Sequence, residues 1–145
     1  MKIEVFVLNI FLLIWNMDAS VCAQTILVEI TDVRSSNGHL LLGIYANNKD
    51  YQNRDAVMKQ TVLKTKMKDG KVTATIVGLD SGVYGIALLD DEDWDRKMRY
   101  KYLFPQEGFA FSNYFHQGYS KPQFEDFKFI LGKEDKKVIM KCKYL

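Results

Sequence analysis

The chain has 145 residues, 48% of them hydrophobic and 26% charged, and carries a formal net charge of +2. That length suits one domain with a sizeable core and excludes a two-lobed enzyme with an interdomain cleft. The small, scattered charge leaves no footprint for nucleic acid, and nine Gly with two Pro exclude collagen-like and low-complexity chains.

The chain opens on a targeting segment. Lys2, an apolar run from Val5 to Trp15 and the small residues Ala19, Ser20, Val21 and Ala23 have the layout of a secretory signal peptide cut after Ala23. The run is shorter than the ~20 residues a membrane-spanning helix needs, so no integral membrane protein is expected after cleavage. Cys22 raises lipoprotein processing as an alternative, but Val21 stands where that cut wants Gly, Ala or Ser. Residues 1–23 therefore read as a signal peptide and residues 24–145 as one exported domain, periplasmic or extracellular. Cys142 is then the single cysteine left, so no internal disulfide can form.

Short period-two segments follow. Ile26, Val28 and Ile30 mark a first strand, Arg34–Gly38 reads as a hairpin loop, and His39–Ala46 reads as the returning strand. Asn47–Gln60 is polar and loop-like, with a helical turn near Asp55–Lys59. Thr61–Met67 is a weaker strand, and Lys68-Asp69-Gly70-Lys71 is a tight-turn signal. Strands are expected at Val72–Leu79 and Gly82–Leu89. Gln123–Leu131 and Lys136–Tyr144 read as a last pair joined by Gly132–Asp135. In the last strand Val138, Met140, Cys142 and Tyr144 share one face and Lys137, Lys141 and Lys143 the other, which places Cys142 in the core as a buried, reduced thiol. The fold class is all-β, an antiparallel two-sheet sandwich of about seven strands, immunoglobulin-like or transthyretin-like. Lys64, Lys66, Lys68 and Lys71 form a mild basic patch that reads as edge-strand protection.

Between Leu89 and Gln123 the alternation fails. A loop this long inside a compact domain is either functional or disordered, and the density of aromatics argues for a packed, functional one. Phe109 and Phe111 stand two apart, so both are expected to point one way and plug the open end of the sandwich. Glu107, Ser112 and Asn113 flank this plug and are expected to bond loop backbone groups. Trp94, Tyr114, Phe115 and Tyr119 sit among polar or glycine neighbours and read as a ligand or partner surface. Tyr84 reads as structural, its hydroxyl bonding nearby backbone at a corner. His39 and His116 with one mature cysteine cannot assemble a zinc site or a nucleophilic triad, and His116 reads as a lone surface histidine.

The stretches Leu79-Asp80-Ser81-Gly82-Val83-Tyr84-Gly85-Ile86-Ala87, Asp91-Glu92-Asp93 and Pro105–Asn113 resemble a bacterial family known as domain of unknown function 2141. Val28–Gly38 and Lys121–Phe129 resemble it too, so the likeness covers nearly all of the mature chain. It implies an exported β-sandwich domain with no assigned activity. Where that family carries a pattern resembling a calcium loop, Asp91, Asp93 and Asp95 keep the alternating oxygens. Arg96 replaces the turn Gly, Arg99 a later Asp, and Tyr102 stands at the twelfth position. The expectation is an acidic turn paired with Arg96, Lys97 and Arg99, calcium being the alternative metal. In function the chain reads as a non-enzymatic binding or envelope-associated module without cofactor, its partner an envelope protein or carbohydrate. The alternatives are a calcium-stabilised adhesion-type domain and a small glycan hydrolase using Asp91 with Glu107.

Overall fold

The computed structural model describes residues 24–145, and the expected signal peptide lies outside the described residues. In chain order the elements are β1 (Ile26–Thr31), β2 (His39–Tyr45), α1 (Asn48–Asn53), β3 (Met58–Leu63), a helical turn at Lys64–Lys66, β4 (Val72–Ile76), β5 (Gly82–Asp91), β6 (Tyr100–Lys101), β7 (Phe104–Pro105), β8 (Gly108–Phe111), α2 (Phe124–Phe127), β9 (Lys128–Leu131) and β10 (Lys136–Lys141). They form a three-stranded sheet, β10-β1-β4, and a five-stranded sheet in which β5 lies between β2 and both β8 and β9, with β3 beyond β2. A separate two-stranded hairpin, β6-β7, stands outside both.

The protein is an all-β sandwich. Alternation builds it: Ile26, Val28 and Ile30 of β1 are fully buried, as are Leu40 and Ile44 of β2 and Ile86 of β5. Each such side chain contributes about 1.5–3 kcal/mol on leaving water. Cys142 lies in the same core, and burial pushes its thiol up to about 12.

Strand pairing departs from the expected hairpins. Arg34–Gly38 carries the chain from one sheet to the other, because both edges of β1 are taken, antiparallel by β4 and parallel by β10. The last two strands do not pair either: β9 joins β5 and β10 joins β1. A parallel partner must arrive from far along the chain, and β10 does. Asp69 and Gly70 turn left-handed as the tight turn requires, although the strands flanking it belong to different sheets. The helical turn falls earlier than expected, at α1, where the Asn47 side chain accepts the Asp50 N–H at 2.9 Å. The weak strand also falls earlier, at β3.

The first half of the expected strand Gln123–Leu131 is the helix α2. Gln123 and Asp126 form a capping box, and Phe124 and Phe127, three apart, face one way. Their rings cover the outer face of the five-stranded sheet with Tyr51 and Phe111. Gly85 permits this approach, since a Cβ there would lie 2.6 Å from the Phe127 ring. Among the described residues no helix is long and apolar enough to cross a membrane.

Candidate functional site

At one end of the sandwich, β5 finishes with two carboxylates that are both fully buried, Asp90 and Asp91. Buried charge must be partnered, and each has a distinct answer. Asp90 ion-pairs with Lys64, whose side chain is itself fully buried and donates to the carbonyls of Ser35 at 3.1 Å and Asn37 at 2.7 Å. On its other side Asp90 accepts the Tyr144 hydroxyl at 2.5 Å, and that oxygen accepts the Arg34 N–H at 3.1 Å. Burial, reinforced by the bond to Asp90, pushes the Tyr144 phenol above its ordinary range. Lys64 is thus no member of a surface patch but a strut at the base of the site.

Asp91 lies opposite His39 in the β2–β5 register. One Asp91 oxygen accepts the Arg96 N–H at 2.9 Å and stands 3.3 Å from Nε2 of His39; the other has no hydrogen-bond partner. The His39 ring is fully buried, neither nitrogen completes a hydrogen bond, and the Trp94 ring lies over it with centroids 4.3 Å apart. Gly38 is left-handed here, and any Cβ on it would collide with the Asp91 carbonyl, so both the turn and the close approach require glycine.

Above this base Arg99 gathers the remaining acids. It ion-pairs with Asp93, reaches Asp95 at 3.6 Å and bonds Glu107 at 3.0 Å, while its own N–H donates to the second Glu107 oxygen at 2.7 Å. Glu107 is buried, so this clamp is its answer to burial. The Gln106 N–H donates to the Arg99 carbonyl at 2.9 Å, closing the base of the β6-β7 hairpin.

The hairpin turns at Tyr102 and Leu103, both left-handed with φ of 50° and 74°. Two-residue turns of this kind favour Asn-Gly, because a side chain there costs about 1–2 kcal/mol per residue. Here they hold a tyrosine and a leucine that are 85% and 91% exposed. Phe104 is exposed beside them, its ring edge-on to that of Tyr119, itself 84% exposed. Trp94 and Arg96 are left-handed too. Strain concentrated in one exposed segment motivates a functional reading.

The expected partner surface is not one patch. Trp94 packs on His39, Tyr114 is half-buried in the outer aromatic cluster, Phe115 lies 5.0 Å from the Lys141 ammonium, and Tyr119 belongs with the hairpin. Phe109 and Phe111 are not an end plug. They lie on β8, which pairs with β5, and Phe111 joins the outer aromatic cluster while Ala110 between them faces the core. His116 is buried against Phe109, Phe111 and Tyr114, not a surface residue.

The polar residues flanking Phe109 and Phe111 do bond backbone. Ser112 accepts the Ile86 N–H at 2.9 Å and donates to the Phe127 carbonyl at 2.6 Å, and Asn113 accepts the Ile139 N–H at 2.9 Å. Tyr84 donates to the Asp80 carbonyl at 3.1 Å. Of the three cations expected to pair with the acidic turn, Arg99 does so through its side chain, whereas Arg96 and Lys97 contribute backbone N–H groups. Sequence reasoning missed Lys64–Asp90, His39–Asp91 and the hairpin tip. The sequence carries little signal for them, since Lys64 and Asp90 read as ordinary surface charges and Tyr102-Leu103 as part of an aromatic loop.

Fold and site together define an all-β sandwich domain that buries a charged network at one end and raises an apolar hairpin from it. The chain belongs to the bacterial family described as "Uncharacterized protein conserved in bacteria (DUF2141)", whose model matches residues 28–139. No curated protein and no solved structure matches it.

Proposed function

We propose that the protein is an exported, non-enzymatic binding domain of the cell envelope whose contact surface is the Tyr100–Pro105 hairpin with Tyr119. One observation carries this reading: Tyr102 and Leu103 are held almost fully exposed, in unfavourable backbone geometry, by a clamp that includes the buried Glu107. Apolar side chains fixed in water at a conformational cost are explained by a partner that covers them.

The acids support a non-catalytic role. A general acid or base must reach the substrate proton. Asp91 and His39 are fully buried under Trp94, and both Glu107 oxygens are engaged by Arg99. A calcium-stabilised domain is the second reading, favoured by the carboxylate oxygens of Asp91, Asp93 and Asp95 lying within 4.8 Å of one another. Arg99 already brings positive charge to Asp93 and Asp95, so in the first reading the domain folds without the ion. Thermal melts with calcium and with EDTA should then coincide; a calcium-dependent rise of several degrees would favour the second.

The experiment for the main reading is fractionation of bacteria expressing the chain. The wild-type protein is expected in the envelope fraction, beginning at Gln24, with the Tyr102→Ser/Leu103→Ser variant shifted to the soluble fraction. Equal distribution of the two, or turnover of a glycoside panel lost in Asp91→Asn, would overturn it.

A further inference from the structure

The hairpin tip is apolar at its end and cationic at its flank, and we propose that it docks on an anionic phospholipid bilayer. This rests on the reading of the hairpin as a contact surface and names what it contacts. Leu103 and Tyr102 are the most exposed large hydrophobic residues among those described, with Tyr119 and Phe104 beside them.

The charges around the tip are divided. The carboxylates of the acidic turn have neighbours of their own: Glu92 pairs with Arg34, Asp93 and Asp95 share Arg99, and Asp91 is buried against His39 and accepts the Arg96 N–H. Among the described residues, the exposed cations Arg96, Lys97 and Lys101 have no ion-pair partner. Lys101 stands across the hairpin from Phe104, directly beside the turn. Lys101 is therefore an unpaired positive charge at the tip itself.

That combination fits a lipid interface. Tyrosine settles at headgroup level, leucine enters the acyl boundary, and lysine or arginine reaches the phosphates. A sugar is a poorer match, because Leu103 offers neither a ring face nor a polar atom. A protein partner would suit the apolar tip but gives no reason for the unpaired Lys101 beside it.

The test is sedimentation of the exported protein, purified as the cell processes it, with vesicles of mixed phosphatidylglycerol and phosphatidylcholine, and with phosphatidylcholine alone. Wild type should partition onto the anionic vesicles and much less onto the neutral ones. Leu103→Ser should weaken binding about tenfold and Lys101→Glu at least roughly fivefold. Unchanged partitioning of Leu103→Ser and Lys101→Glu would overturn the proposal. Absence of vesicle binding, with tip variants still leaving the envelope fraction, would overturn lipid docking and leave a protein-contact surface. If neither vesicles nor the envelope fraction responds to the tip, both readings fall.

Discussion

The base and the tip of the segment between β5 and β8 reverse the usual arrangement of side chains. At the base Asp90, Asp91, Lys64, His39 and Glu107 are buried; at the tip Tyr102, Leu103, Phe104 and Tyr119 face solvent. Polar groups inside need definite partners in definite geometry, so they fix where the segment leaves the sandwich. Apolar groups outside fix nothing in the fold. The difference separates positioning from contact, and substitutions at the two ends should separate as well.

The largest effect is expected at the base. Lys64→Met strands the buried Asp90 charge and should cost about 3–5 kcal/mol in urea unfolding, whereas adding Asp90→Leu should restore much of the loss. If Lys64→Met were neutral, the pair would not anchor the segment. Phe111→Ala empties part of the outer aromatic cluster and should cost about 3 kcal/mol or somewhat more, whereas Tyr119→Ala should stay within about 0.5 kcal/mol of wild type. Equal losses would make Tyr119 part of the core and dissolve the distinction.

Cys142, beside Asp90 and Tyr144, offers a pH test of the same end. Burial raises its thiol to about 12 from an ordinary value near 9. The folded chain then holds a proton that the unfolded chain releases, so this contribution is intact below pH 9. It falls by up to about 1.4 kcal/mol per pH unit between 9 and 12. Comparing urea midpoints of wild type and Cys142→Ala across that window reads it out, and a constant difference would refute it. At pH 8 the native thiol should resist alkylation.

A small change is expected at the turn of the hairpin, and in the opposite direction. Leu103→Gly removes a side chain from a left-handed position and should stabilise the fold by up to about 1 kcal/mol while weakening retention in the envelope fraction. A clear destabilisation would show that Leu103 packs in solution.

What the sequence disclosed follows the same division. Strands with one dry face, such as Ile26-Val28-Ile30 and Val138-Met140-Cys142, announce themselves by period two. Their partners do not, since the parallel β1–β10 pairing joins residues at opposite ends of the domain and no local signal encodes it. The run Phe124, Phe127, Phe129 and Leu131 mixes a spacing of three with a spacing of two. The capping residues Gln123 and Asp126 settle its first half as helix. Lys64 and Asp90 look like ordinary surface charges until β2, running beside β5, brings the turn after β3 against the end of β5. Tyr102 and Leu103 looked like a continuation of an aromatic loop, because turn chemistry predicts Asn-Gly at such positions.

Arg99→Gln tests most directly whether the polar base positions the apolar tip, because it leaves Tyr102 and Leu103 in place and removes the guanidinium that joins Asp93, Asp95 and Glu107. The measurement is its distribution between envelope and soluble fractions, taken well below its melting temperature. The account predicts a shift to the soluble fraction approaching that of Tyr102→Ser/Leu103→Ser. Full retention in the envelope, with the clamp gone and the tip intact, would contradict it.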